Sequence, residues 1–175
     1  MTARRTGAAV VIVAITLGQL LGCAPEPSPV PTPTPAFASE AEAFAAAEEV
    51  YRAYNDALNE ERIVGGSADP GQYLSGLALE SHLEAGRYFE EQQLRFNGEG
   101  IVDSFNGDSA NLDAAVATVT AFVCLDVSQT RVIDGEGADV TPSDRPTRLP
   151  LEVVFVGPRR ELLISNSNLV DGEEC

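Results

Sequence analysis

Ala114-Ala115-Val116-Ala117-Thr118-Val119-Thr120-Ala121-Phe122-Val123-Cys124-Leu125-Asp126-Val127 is the stretch on which the fold turns. It is the longest strand signal in the chain, rich in β-branched and apolar residues and free of breakers. A period of two puts Ala117, Val119, Ala121, Val123, Leu125 and Val127 on one face. Val116, Thr118, Thr120, Phe122, Cys124 and Asp126 take the other. The small residues of the first face leave room for a helix, or for a cavity.

Shorter strand signals flank it. Residues 99–106 read as a strand before it, with a turn starting at Asn106-Gly107. Thr130 to Ile133 is a weaker strand, followed by the turn Asp134-Gly135-Glu136-Gly137. Thr141 to Pro150 holds three prolines and reads as a loop. Leu151 to Val156 and Glu161 to Ser165 form a last pair joined around Gly157-Pro158-Arg159. The pattern predicts an antiparallel meander of about four strands.

Upstream the period changes to that of a helix. Ser39 is a good N-cap, and Glu42 completes a capping box. Phe44, Ala47, Tyr51, Tyr54 and Leu58 then mark one apolar face of a helix running to about Arg62. Tyr51 and Tyr54 are read as core residues, with pocket lining as the alternative. Glu48 and Arg52 form an i,i+4 pair. Gly65-Gly66 and Asp69-Pro70-Gly71 turn the chain. A short helix is expected from Gln72 to Leu79. A third is expected from Ser81, with Glu84 as its capping-box partner, to Asn97-Gly98, burying Leu83, Gly86, Phe89 and Leu94. Three helices followed by strands make an α+β chain rather than α/β.

The segment before residue 37 is of another kind. Arg4 and Arg5, the apolar run Ala8 to Leu21 and small Gly22 have the parts of a secretory signal over residues 1–22. The run is shorter than the roughly 20 residues a spanning helix needs. Residues 23–36 follow, with prolines at 25, 27, 29, 31, 33 and 35. Such a tether is extended, near polyproline II, and reaches on the order of 35–40 Å. Residues 37–175 remain for one domain, about 139 residues, enough for a single core.

Charge excludes one class of partner. All 11 basic residues are arginine, a bias that points to a GC-rich genome. Removing residues 1–22 takes away two arginines and no acid, which moves the net charge from −16 to −18. Nucleic-acid binding needs a basic footprint, so no nucleic-acid partner is expected. Docking of the folded domain on anionic headgroups is disfavoured for the same reason.

Two resemblances extend this reading. Leu20-Leu21-Gly22-Cys23 and its leader resemble bacterial lipoprotein signals. The resemblance implies that Cys23 accepts a diacylglyceryl group, becomes the mature N-terminus and anchors the chain to the extracytoplasmic face of the cell membrane. Ordinary secretion, with Ala36-Phe37-Ala38 as a cleavage-like site, and an uncleaved helix are the alternatives. The order of helices and strands is similar to the NTF2-like cone fold of the cystatin-like group. Val123-Cys124-Leu125-Asp126-Val127-Ser128 and Asp171-Gly172-Glu173-Glu174-Cys175 resemble uncharacterised surface lipoproteins of high-GC Gram-positive bacteria. The fold implied hosts enzymes, small-molecule binders and structural partners alike, so it assigns no reaction.

With Cys23 taken by lipid, Cys124 and Cys175 remain, and a secreted domain is expected to join them. The enclosed loop of about 52 residues gives on the order of 4 kcal/mol in the chain-entropy account. Two cysteines and one histidine are too few for a usual metal site, so neither a metal nor a cofactor is expected. The acidic turn at 134–137 lacks the ligand spacing of a calcium loop. His82 is the sole histidine. As an acid–base group it would need Asp103 or Asp126 as partner; otherwise it is an exposed first-turn residue beside Glu80 and Glu84. No nucleophile elbow, phosphate loop or dinucleotide fingerprint is present.

The expectation is therefore an anchored lipoprotein carrying a non-catalytic module that binds an envelope protein or a small molecule. The alternatives are a small isomerase or hydrolase working in a cone cavity, and an accessory of an envelope transport system.

Overall fold

The computed structural model describes residues 34–63, 66–112, 115–171 and 175. All belong to one unit, Thr32–Cys175. The leader, Cys23 and most of the proline tether lie outside the described residues.

The chain is α+β. Helix α1 spans Glu40–Glu61 and helix α2 spans Gly76–Glu91, with a 3₁₀ turn at Pro70–Tyr73 between them. Strands β1 (Arg95–Asn97), β2 (Ile101–Asn111), β3 (Ala117–Asp126), β4 (Arg131–Ile133), β5 (Arg148–Gly157) and β6 (Leu163–Leu169) follow. Four of them make an antiparallel sheet in the order β2-β3-β5-β6, and β1 pairs with β4 in a separate two-stranded sheet. The expected four-stranded meander is present.

β3 lies at the centre of the larger sheet and carries the predicted alternation. Ala117, Val119, Ala121 and Val123 are buried, while Thr118 is exposed and Thr120 and Phe122 are half-buried. The buried face joins Val153, Phe155 and Ile164 of the neighbouring strands and Ala43, Ala47 and Tyr51 of α1 in one core. The small residues of β3 thus receive a helix. An aromatic series crosses this interface, with Tyr51 6.5 Å from Phe105 and Phe105 6.1 Å from Phe155.

α1 starts where its cap predicts. The Ser39 hydroxyl accepts from the Glu42 amide at 3.2 Å, and the Glu42 carboxylate accepts in return from the Ala38 amide at 2.9 Å. Its last turns are fastened by polar groups. The Asn55 and Asn59 amides both donate to the Gly100 carbonyl, at 2.8 and 2.9 Å, and the Gly100 amide donates to Asn59 Oδ1 at 2.9 Å. One backbone unit entering β2 is thereby held by two side chains one helical turn apart.

Four expectations are corrected. The separate helices at Gln72–Leu79 and from Ser81 are one helix, α2. Leu77, Ala78, Leu79 and Glu80 are sound helix formers, and nothing before Ser81 breaks the helix. Ser81 therefore sits in the helix interior, where it cannot cap. The start is set by tertiary contact instead: Leu74 bridges to Ile164, and the Ser75 amide donates to the Ile164 carbonyl at 2.8 Å. Gly76 then takes φ +51°, a left-handed conformation that lets the chain swing from the bridge into the helix.

The helix also stops earlier than Asn97-Gly98. Arg95–Asn97 forms β1, opposite Arg131–Ile133. Asn106-Gly107 is no turn; it lies inside β2, next to a register shift. A Cβ on Gly107 would fall within the Phe44 ring, so this glycine serves the close approach of α1. Finally, β5 begins at Arg148 and takes in the last residues of the expected loop. Pro150 lies opposite Cys124, and its carbonyl still accepts from Val170 at 3.1 Å.

Cys124 and Cys175 are joined by a disulfide, with Cα atoms 5.4 Å apart. The bond lies on the sheet face turned away from α1, because Cys124 alternates with core-facing Val123. It holds the end of the chain against β3.

Candidate functional site

α2 is the unusual element. None of its residues is buried, although it runs for 16 residues. Leu83 is 52% exposed and Tyr88 56% exposed. The expected burial of Leu83 and Gly86 is thus not met, and Phe89 and Leu94 are only half-buried. Ala78 and Leu79 near its start pack on the core, and the helix contacts β6.

A groove of about 700 Å³ lies between the last turn of α1, α2 and β1. Leu58, Ile63, Leu83, Phe89, Leu94 and Phe96 supply its apolar walls. Phe89 and Phe96 stack, with ring centroids 4.5 Å apart and planes 25° from parallel. That contact ties the end of α2 to β1 and fixes one wall of the groove.

The rim is cationic. Arg62, Arg87 and Arg95 line the groove together with His82, and among the described residues Glu61 is the only carboxylate that does. The chain as a whole carries a net charge of −16, so this clustering runs against its composition. Arg62 is the positioned member. Its Nη1 donates to Asn59 Oδ1 at 3.3 Å, and its guanidinium lies 5.1 Å from the Phe96 ring centre. Burial pushes its pKa down, opposed by Tyr54 and Glu61, and Arg145 pushes the same way as burial. A guanidinium stays charged under such shifts. Arg87 and Arg95 are exposed and make no ion pair among the described residues.

His82 lies in the second turn of α2 rather than the first, half-buried at the groove. Neither partner expected for it is there. Asp103 forms an ion pair with Arg148 at 2.6 Å. Asp126 is the cross-strand partner of Arg148 and accepts from the Ser128 amide at 2.8 Å. Hydrogen bonds from Ser128 hold its carboxyl below the usual carboxylate range; burial opposes this and Arg148 adds to it. Arg148 also donates to the Cys175 carbonyl at 3.2 Å. These groups gather beside the disulfide, away from the groove.

Other sequence candidates resolve into structural roles. Tyr51 is core, 3% exposed, and burial raises its phenol pKa well above the usual range, with Tyr54 adding to the effect. Tyr54 is half-buried, and burial raises its pKa too, against the pull of Arg62. The Asp134 carboxylate accepts from the amides of Glu136 and Ala138 at 3.0 and 2.8 Å, which closes the acidic turn. Among the described residues no group of three or more His, Cys, Asp or Glu is placed to hold a metal, and no helix is long and apolar enough to cross a membrane.

Sequence reasoning missed Arg62, Arg87, Arg95 and Phe96. These arginines are spread over residues 62–95 among more numerous acids and give no local signal; only the return of β1 towards the end of α1 makes them a site. No protein-family model matches this chain, and no curated protein is significantly similar to it.

Proposed function

We propose that this chain is an extracytoplasmic lipoprotein, anchored through Cys23, whose domain binds a partner or ligand in the groove between α1 and α2. The observation that carries the reading is the groove itself: apolar walls with a cationic rim in an otherwise acidic domain. The order of α1, α2 and the antiparallel sheet supports an NTF2-like arrangement, although two α-helices stand where that resemblance implied three. The proline tether supplies the reach for such a domain to work clear of the membrane.

Two measurements test this. Replacing Cys23 by Ala releases the protein or leaves its precursor unprocessed; normal processing with undiminished membrane retention refutes the anchor. A photo-crosslinking residue at position 83 gives a discrete adduct in cells, whereas one at position 118, on the opposite sheet face, gives none. Equal labelling from both positions refutes the groove as the binding surface.

The enzyme alternative rests on the place of His82 at the groove. It predicts that His82→Ala abolishes turnover of a substrate that the groove still holds. The binding reading predicts retention of function, because neither Asp103 nor Asp126 lines the groove beside the imidazole.

A further inference from the structure

We propose that the groove takes a single-chain amphiphile with a carboxylate head, of the long-chain fatty-acid class. The inference rests on the groove being the binding surface and assigns the chemistry of its occupant. Three features of the site lead to it.

The first is size. The groove is about 700 Å³ and is lined by 14 of the described residues. Small-molecule sites occupy about 300–1,000 Å³, whereas a stable protein interface takes about 20–30 residues a side. A groove of these dimensions suits one small molecule rather than a folded partner.

The second is the division of its surface. Leu58, Ile63, Leu83, Phe89, Leu94 and Phe96 give the groove an apolar lining of aliphatic and stacked aromatic side chains. Removing an acyl chain from water against such a wall yields about 0.8 kcal/mol for each CH₂ fully buried. α2 gains as well, since an amphipathic helix without a buried residue leaves apolar surface in water.

The third is charge. Among the described residues that line the groove there are three arginines and one carboxylate, Glu61. Arg87 and Arg95 have no ion-pair partner among the described residues, and Arg62 is held in place by Asn59 and Phe96. Guanidinium groups match a carboxylate through paired N–H donors. A cationic amphiphile meets repulsion here, and a neutral one leaves the arginines unused. In a domain of net negative charge, long-range attraction for anions is weak, so discrimination comes from these short-range contacts.

The test uses the full chain in phosphatidylcholine nanodiscs and three diazirine probes with the same alkyl chain: a carboxylic acid, its alcohol and its alkyl phosphate. Crosslinked residues are mapped by peptide mass spectrometry. The acid labels segments 82–89 and 94–96 on the order of tenfold more strongly than the alcohol, the discrimination that one charge-assisted contact supplies. The double variant Arg87→Gln/Arg95→Gln, at two exposed positions, loses that preference while keeping the circular dichroism and melting point of the parent.

Equal labelling by acid and alcohol overturns the anionic assignment and leaves the groove as a binding site for apolar molecules. Stronger labelling by the alkyl phosphate overturns the carboxylate. Labelling of these segments by none of the probes overturns the groove and its ligand together.

Discussion

α1 and α2 look alike as amphipathic helices, yet one is built into the core and the other is not. α1 buries Ala43, Ala47, Tyr51, Asn55 and Ala57; α2 buries nothing. The difference lies in what faces each helix. Small residues on α1, together with Gly107 on β2, allow helix and sheet to approach until Phe44 fills the place of a glycine side chain. α2 meets the edge strand β6, and of its residues only Ala78 and Leu79 pack against the core. Amphipathicity signals that a helix wants a partner surface; it does not say that the rest of the chain supplies one.

Truncation in the two helices therefore gives opposite results. Tyr51→Ala opens a hole in the core of the α1–sheet interface and lowers stability by about 3–5 kcal/mol. Urea denaturation reads this directly; a loss under 1 kcal/mol places the interface elsewhere. Breaking the disulfide with Cys124→Ala/Cys175→Ala costs about 2–4 kcal/mol, chiefly by releasing the unfolded chain. That loss leaves α2 and its groove unchanged, because the bridge lies on the far face of the sheet.

Smaller effects sharpen the contrast. Gly107→Ala sets a methyl group against the Phe44 ring and costs about 1–3 kcal/mol through overpacking. In a bare strand the same change is neutral or stabilising, so the sign of the measured shift decides whether α1 packs this closely. Leu83→Gln on α2 changes stability by less than about 0.5 kcal/mol, as expected of an exposed site. It should nonetheless abolish labelling by an acyl probe in the groove.

The least effect is that of pH. Asp126 has a folded pKa below its unfolded value of about 3.9. Its contribution is complete above the unfolded pKa and is lost as pH falls through the folded one. Asp126→Asn flattens the acid limb of the stability profile between these values; an unaltered limb shows that the Ser128 hydrogen bonds do not favour the charged form. Tyr51 works at the other extreme. Its folded pKa is raised, so the stability linked to its neutral phenol is complete below about pH 10. That stability declines as pH rises beyond the unfolded value. Tyr51→Phe removes this part of the alkaline loss, measured by denaturation above pH 10.

Much of the α1–sheet half could be read from residue order. The alternation from Ala117 to Val123 gave the central strand and its buried face, and Ser39 gave the first helix its start. Asn106-Gly107 misled because the pair has two uses: turn chemistry, and a strand position without a side chain. Choosing between them requires Phe44, 63 residues upstream of Gly107. Ser81 misled in a similar way, since a capping pattern acts only where the helix has not already begun. The candidate site was the least legible part. His82 was visible as the sole histidine, but its neighbours come from α1, α2 and β1, and the carboxylates expected beside it lie with Arg148.

The sequence by itself determined the α+β class of this chain, the start of α1, the buried face of β3 and the pairing of its two domain cysteines. These follow from short-range periods, caps and counts that each segment carries within itself. Only the tertiary structure decided that α1 is buried and α2 exposed, that Gly107 makes room for a ring, and that three arginines of an acidic chain converge on one apolar groove. Those outcomes depend on contacts between segments far apart in the chain, and burial and electrostatics are set by distance in space rather than by order along the backbone.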